Sequence, residues 1–187
     1  GFFYSSYDVQ GDQSILSSKT QLHTIYYHKL GDSQENDQFI FGGNKQPNRY
    51  LFSFVTEDQN YLVISAAKTT SGNQLYVKNL KGKNNNFIQI QDNYLSECSY
   101  VFNKGNRFFL STNFDAPNFR LVELDLSKPK IWSDVISQKE NVLNVSSAGG
   151  YFFANYLVDA KSQVKQYDLK GNFIREVSLP SIGSASG

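Results

Sequence analysis

A short polar or glycine turn followed by an apolar strand recurs three times in this chain at nearly constant spacing. That recurrence narrows the possible folds more than any other feature. Asp58-Gln59-Asn60 leads into Tyr61-Leu62-Val63-Ile64-Ser65, and Lys104-Gly105-Asn106 into Arg107-Phe108-Phe109-Leu110-Ser111. Ala148-Gly149-Gly150 leads into Tyr151-Phe152-Phe153-Ala154-Asn155, and the successive intervals are 46 and 44 residues. β-Branched and aromatic residues in short runs bounded by Gly, Asn, Asp and Ser read as strands, because such side chains fit a half-buried pleated surface. A fixed period in such runs makes the fold a repeat architecture.

Two further markers travel with the first. Leu75-Tyr76-Val77-Lys78-Asn79-Leu80, Leu121-Val122-Glu123-Leu124-Asp125-Leu126 and Val164-Lys165-Gln166-Tyr167-Asp168-Leu169 follow the three copies in turn. Phe87-Ile88-Gln89-Ile90, Ile131-Trp132-Ser133-Asp134-Val135 and Phe173-Ile174-Arg175-Glu176-Val177 close them. With one strand ahead of each copy, the units read as strands over 50–55, 61–67, 74–80 and 87–91; then 97–102, 107–112, 119–126 and 131–136; then 142–147, 151–158, 163–169 and 172–178. Four consecutive antiparallel strands in about 40–50 residues is the unit of a β-propeller blade.

At the start, Gly1-Phe2-Phe3-Tyr4-Ser5 matches a second strand, Tyr26-Tyr27-His28-Lys29-Leu30 a third and Gln38-Phe39-Ile40-Phe41 a fourth. At the end, Ser181-Ile182-Gly183-Ser184-Ala185 reads as the first strand of another unit. The expected fold is therefore an all-β, partial β-propeller domain over residues 1–187. It has whole blades at 50–91, 97–136 and 142–178 and partial ones at 1–41 and 181–187. The orphan strand near Ile182 is a candidate to complete the sheet begun by Phe2-Phe3-Tyr4. The chain contains no Met, which makes Gly1 a processed or chosen boundary and the chain a fragment by expectation.

Composition excludes several functions. The formal charge is +1 with Lys and Arg scattered among Asp and Glu, so no basic stripe is available to follow a phosphate backbone. The densest basic stretch, Lys81-Gly82-Lys83 before Asn84-Asn85-Asn86, reads as a solvated turn. No apolar run approaches the roughly 20 residues that cross a bilayer as a helix. No nucleic-acid or membrane partner is expected. Cys98 is the single cysteine, so an internal disulfide and a cysteine-based metal site are both excluded; it reads as a small buried hydrophobe.

Several segments together resemble the propeller of the prolyl oligopeptidase family. They are Gly1-Phe2-Phe3-Tyr4, Tyr26-Tyr27-His28-Lys29-Leu30-Gly31, Ser71-Gly72-Asn73-Gln74-Leu75-Tyr76 and, nearest of all, Thr112-Asn113-Phe114-Asp115-Ala116-Pro117-Asn118-Phe119-Arg120-Leu121. Leu179-Pro180-Ser181-Ile182-Gly183 and Ser186-Gly187 are similar to that family's entry into its last blade. The resemblance implies a parent whose α/β-hydrolase domain carries a Ser-Asp-His triad and cleaves short peptides after proline. A seven-bladed propeller would cover that active site and restrict entry to small peptides. The implied partners are that hydrolase domain and short proline-containing peptides. No cofactor is implied, and the expected setting is the cytoplasm, with the periplasm as alternative.

The residues themselves supply no hydrolytic machinery by this reading. A nucleophile elbow needs Gly-x-Ser-x-Gly running into a helix, whereas Gly183-Ser184-Ala185-Ser186-Gly187 has Ala185 at its centre. His23 and His28 are five apart on one expected strand, so they face opposite sides and cannot act as a pair. His28 is expected to be a structural hydrogen-bonding residue. Zinc spacings, EF-hand loops and phosphate loops are absent from the sequence, leaving no catalytic and no metal-binding candidates. Asn144-Val145-Ser146 is a glycosylation triplet within an expected strand.

One loop stands out through the resemblance, which implies that the connection between second and third strands of this blade faces the active site. Here it is Ala66-Ala67-Lys68-Thr69-Thr70-Ser71-Gly72-Asn73, and the candidate substrate-facing residues are Lys68, Thr69, Thr70 and Asn73. The other reading of that stretch is a long hairpin loop stabilised by Asn73. Arg120 reads either as fixing a loop or an interblade contact or as a ligand-binding group. The polar insertion Val9–Thr20 is an expected surface loop, and position in the family suggests part of the entrance rim. Two other functions compete. A free-standing propeller scaffold for protein–protein interaction needs a closed ring, and a glycoside hydrolase needs paired carboxylates at one cleft. Exposed strand edges and blade faces predict a fragment that behaves poorly alone.

Overall fold

The computed structural model describes residues 1–7, 21–82, 84 and 86–185. Asp8, the insertion Val9–Thr20, Lys83, Asn85, Ser186 and Gly187 lie outside the described residues. Among the described residues the chain is almost entirely strand and turn, arranged in four antiparallel sheets. The first has three strands, β1 (Phe2–Ser6), β2 (Thr24–His28) and β3 (Gln38–Gly42). The second has β4 (Tyr50–Val55), β5 (Tyr61–Ala67), β6 (Asn73–Asn79) and β7 (Ile88–Gln91). The third has β8 (Cys98–Lys104), β9 (Arg107–Thr112), β10 (Arg120–Asp125) and β11 (Ser133–Ile136). The fourth has β12 (Leu143–Ala148), β13 (Tyr151–Val158), β14 (Lys161–Tyr167) and β15 (Phe173–Val177). In every sheet the strands lie in chain order, the meander that short hairpin connections enforce.

Each four-stranded meander is pinned by the same devices. The last position of the third strand, or the residue just after it, carries an Asn or Asp whose side chain folds the next turn. Asn79 Oδ1 accepts the backbone N–H groups of Lys81 and Gly82, both at 2.8 Å. Asp125 Oδ1 accepts Ser127 N–H at 2.7 Å, and Asp168 Oδ1 accepts Lys170 and Asn172 N–H at 2.8 and 2.9 Å. The Leu after each of the first two returns to the preceding hairpin: Leu80 N–H donates to Asn60 O at 2.8 Å and Leu126 N–H to Asn106 O at 3.0 Å. A register shift also falls between the last two strands of every sheet, at Ile25/Tyr26, Leu75/Tyr76, Leu121/Val122 and Gln166/Tyr167. A bulge there bends the outermost pair and strengthens its twist. β2 carries the shift that β6, β10 and β14 carry, which equates β1–β3 with the last three strands of a blade.

The described chain divides into two compact units, Gly1–Leu95 and a second beginning at Ser96. In the first unit Ile25, Leu51, Leu62, Ile64, Ala66 and Tyr76 form a core, with Phe3, Ile40, Phe41, Leu80 and Phe87 packed on it. Leu62, Ile64 and Ala66 alternate along β5 and share one face; Val63, between them, is also fully buried. A strand covered on both faces must be apolar at consecutive positions, which explains the unbroken Tyr61–Ile64 run. In the second unit Phe109, Leu121, Ile136, Leu143, Phe152, Ala154, Tyr156 and Tyr167 form the core. Phe109 and Phe152 meet edge to face at 4.9 Å.

The segment Ser181–Ala185 forms bends at 181–183 and irregular backbone after them rather than the expected strand. It is held in the second unit by Ser162 N–H to Gly183 O at 2.9 Å, Ala185 N–H to Ser162 Oγ at 2.8 Å and Asn155 Nδ2 to Ala185 O at 2.7 Å. Pro180, Ser181 and Gly183 weaken strand pairing, and side-chain hydrogen bonds satisfy the backbone instead.

Candidate functional site

The β5–β6 connection is a hairpin whose last paired residues are Ala67 and Asn73. Lys68, Thr69 and Thr70 at its tip are exposed. Within the tip, Thr69 Oγ1 donates to Ser71 O at 2.9 Å and accepts Ser71 N–H at 3.4 Å. Gly72 then turns back at φ +72°, a left-handed conformation that only Gly adopts without cost. A side chain at Gly72 would also run into the backbone carbonyl of Tyr94. Asn73 is buried, and its amide Nδ2 donates to Ser65 Oγ at 3.1 Å and Gln74 O at 3.3 Å. Lys68, Thr69 and Thr70 are thus presented to solvent, while Asn73 is turned into the hairpin and holds its base.

Beneath the tip lies a polar network absent from the sequence reading. Gln74 Oε1 accepts from Tyr76 Oη at 2.8 Å, Tyr94 Oη at 3.0 Å and Arg49 Nη1 at 3.2 Å. Gln74 Nε2 donates to Asp92 O at 2.7 Å, and Gln91 Nε2 donates to Asn73 O at 2.7 Å. Arg49 is 6% exposed, lies over the Phe41 ring at 5.2 Å, and has an Nε without a hydrogen-bond partner. A buried cation is costly unless it is hydrogen-bonded, and the Gln74 amide oxygen and Tyr76 hydroxyl provide that here. Burial pushes the Tyr94 phenol above its usual range, with Arg49 opposing it. The sequence cue for this network is the Gln74–Tyr76 spacing on β6, which puts two polar groups on one face of a buried strand. Arg49 and Tyr94 come from other segments and leave no local signal.

The histidines occupy separate sites. His28 Nδ1 lies 2.7 Å from Asp37 Oδ1, and Tyr4 Oη donates to Asp37 Oδ2 at 2.6 Å. The Tyr4 hydrogen bond, then that of His28, holds the Asp37 carboxyl below the usual range, while the Tyr4 phenol is raised. Both carboxylate oxygens are engaged, so this group ties the β2–β3 connection to β1. His23 stacks on Tyr7 at 5.4 Å and meets the edge of Tyr50 at 5.4 Å. Its Nδ1 lies 3.2 Å from Ser5 Oγ and accepts Leu51 N–H at 3.4 Å, while its buried Nε2 has no partner. A catalytic serine–histidine pair needs a carboxylate orienting the other ring nitrogen, and His23 has none there. Among the described residues no cluster of three or more His, Cys, Asp or Glu side chains can hold a metal.

The motif Thr112–Leu121 has a local structural explanation. Thr112 Oγ1 donates to Glu97 O at 2.6 Å, and Asn113 Oδ1 accepts Glu97 N–H at 2.6 Å. Asn118 Nδ2 donates to the carbonyls of Lys139 and Glu140 at 2.9 and 2.7 Å, and Arg120 Nη1 donates to Asp134 Oδ1 at 2.9 Å. Thr112, Asn113 and Asn118 thus close connections between strands, whereas Arg120 on β10 pairs with Asp134 on the neighbouring β11. Cys98 is buried and its thiol is pushed up to about 12 by burial, which makes it inert as a nucleophile at neutral pH. Asn144 lies within β12. Among the described residues no helix is long and apolar enough to cross a membrane.

Successive four-stranded antiparallel meanders, each with the same bulge and the same Asx-capped third strand, define a β-propeller segment. The family model for the prolyl oligopeptidase N-terminal β-propeller domain matches residues 1–187. The chain therefore belongs to the prolyl oligopeptidase family, as part of that propeller. It is 50% identical over its whole length to a prolyl endopeptidase of Elizabethkingia miricola, of which it covers 27%. A structure from a study of two prolyl endopeptidases and their inter-domain dynamics is 32% identical, with a TM-score of 0.83, over 89% of this chain and 25% of that one. Prolyl oligopeptidase B from Galerina marginata, bound to a 35mer hydrolysis and macrocyclization substrate, is 26% identical with a TM-score of 0.87 over 100% of this chain and 27% of that one. The chain thus spans about a quarter of the length of the relatives it matches.

Proposed function

We propose that this chain is the substrate-filtering part of a serine peptidase that cleaves short peptides after proline. It would cover the active site of an α/β-hydrolase domain elsewhere in the same protein and contribute no catalytic group itself. The β5–β6 tip, with Lys68, Thr69 and Thr70, is the part that would meet the peptide. The observation that carries this reading is the family match over all 187 residues, in a chain that covers only 27% of a prolyl endopeptidase half identical to it. The two histidines support it: one is tied to Asp37, which also accepts the Tyr4 hydroxyl, and the other lacks an orienting carboxylate.

The test is a size-selectivity measurement on the full-length peptidase. Short and long peptides with the same proline site are compared with the intact protein and with its hydrolase domain alone. Intact protein is expected to favour the short peptide strongly, and the hydrolase domain to lose that preference. Equal discrimination by the two would reject the filtering role. Lys68→Ala and Thr69→Ala in the full-length protein are expected to raise KM for peptides while leaving kcat unchanged, the signature of lost ground-state binding.

A further inference from the structure

The β5–β6 tip is not held by its own sheet alone. Within it, hydrogen bonds run between Thr69 and Ser71, and the strand pairing stops at Ala67 and Asn73. Yet one residue from outside the hairpin reaches it at three heights. Tyr94 follows β7, the outermost strand of the same sheet, and is half-buried. Its ring lies under the Lys68 ammonium at 4.6 Å. Its backbone carbonyl fills the space that a side chain at Gly72 would need. Its hydroxyl donates to Gln74 Oε1 at 3.0 Å, beside Arg49 Nη1 and Tyr76 Oη on the same oxygen.

From these contacts we propose that Tyr94 is a positioning residue: a peg that clamps both arms of the β5–β6 hairpin and sets the conformation in which its tip is presented. The function assigned to it rests on the reading of that tip as peptide-facing. Lys68 belongs to the outgoing arm, Gly72 and Gln74 to the returning one, and a single side chain joins the two. The lower end of the peg is anchored by the buried Arg49–Gln74–Tyr76 group, so the hydroxyl has one fixed acceptor. The upper end is a cation–π contact at the surface, weaker and easily exchanged. The arrangement fixes the base of the tip while Lys68 remains able to leave the ring. A loop ordered before the peptide arrives spares the ordering cost that binding would otherwise bear. If only a fraction of molecules held the competent loop, apparent affinity would fall by that fraction.

Lys68 provides the assay, because trypsin cleaves after it and cleavage requires the tip to leave its clamped form. In the full-length peptidase, Tyr94→Ala removes the ring and the hydroxyl, whereas Tyr94→Phe keeps the ring and the backbone. Tryptic cleavage between Lys68 and Thr69 is expected to accelerate at least about two- to fivefold in Tyr94→Ala, the factor that an exposed cation–π contact supplies. Tyr94→Phe is expected to stay nearer to the parent protein. KM for a proline-containing peptide is expected to rise in Tyr94→Ala by the same factor with kcat unchanged. If Tyr94→Ala is not recovered folded, Tyr94→Leu, which keeps apolar bulk without a π face, takes its place. A cleavage rate at Lys68 equal to that of the parent protein would overturn the clamp. Faster cleavage with unchanged KM would uphold the clamp and instead overturn the peptide-facing reading of the tip.

Discussion

His23 sits where burial disfavours its charged form. Its Nδ1 accepts Leu51 N–H, which assigns the ring proton to Nε2, and Nε2 is buried without an acceptor. Tyr7 and Tyr50 close over the ring, and Ser5 is its other polar neighbour. Burial accordingly lowers the imidazole below its usual range. The unfolded chain then binds a proton that the folded chain refuses, so stability rises with pH between the lowered folded value and the unfolded value near 6.5. The contribution is complete above about pH 6.5 and is lost progressively below it. Thermal melts between about pH 7 and pH 5 are expected to fall in Tm, and His23→Gln, which keeps an acceptor for Leu51 N–H, is expected to flatten that part of the slope. A slope unchanged by the substitution would place the titrating group elsewhere. No pattern in the sequence signalled this environment. His23 is one residue before β2, and the groups around it come from β1, the stretch after it and β4.

The elements were far more legible, and the reason is physical. β5 and β9 each put an apolar strand behind a tight turn, and β-branched and aromatic runs have few other conformations in which to bury. Strand limits from the period agree with the structure to within two residues, whereas Ser181–Ala185, expected as a strand, is not one. There the sequence carries Gly and Ser, and side chains of β13 and β14 take its backbone hydrogen bonds. The repeated Asn or Asp near the end of each third strand was visible as part of a marker, but its job was not. Asn79 shows that an amide suffices, so the acceptor oxygen and not the charge makes the turn. Asn79→Ala is expected to cost about 0.5–1.5 kcal/mol for each hydrogen bond lost, read from denaturant melts. At Asp125 and Asp168 the carboxyls are held below the usual range, first by Ser127 and by Asn172 respectively. Their contribution is therefore present above the unfolded value near pH 4 and is lost as pH falls through the lowered folded value. Asp125→Asn and Asp168→Asn are expected to keep stability near neutral pH and to remove that acid dependence. A large loss at neutral pH would mean that the charge itself matters.

At the scale of the molecule, the repeat declares the architecture while the candidate site is spread over three segments that no period links. Lys68, Thr69 and Thr70 could be nominated only through the family resemblance, and Arg49 and Tyr94 only through the structure. The same scale decides how the chain behaves on its own. Its surface carries Phe173 and Ile174 at 55% and 45% exposure on β15, and Phe52 and Phe54 at 66% and 44% on β4. Both strands lie at the ends of their sheets, so strand edges and apolar side chains coincide there. Edge strands of that kind add further strands when left uncovered; β4 carries neither a charge nor a Pro to oppose this, and β15 carries Arg175 and Glu176 beside its apolar residues. Sedimentation velocity on the isolated chain is expected to show mass increasing with protein concentration. Phe52→Lys and Ile174→Lys, which put a charge on each edge, are expected to shift the distribution toward monomer. The same preparation is expected to leave a proline-containing peptide uncleaved at every state of association, because assembling more copies adds strands and no nucleophile. A concentration-independent compact monomer would show that these edges are closed in solution by the chain itself, and cleavage of the peptide would place a catalytic group within these 187 residues.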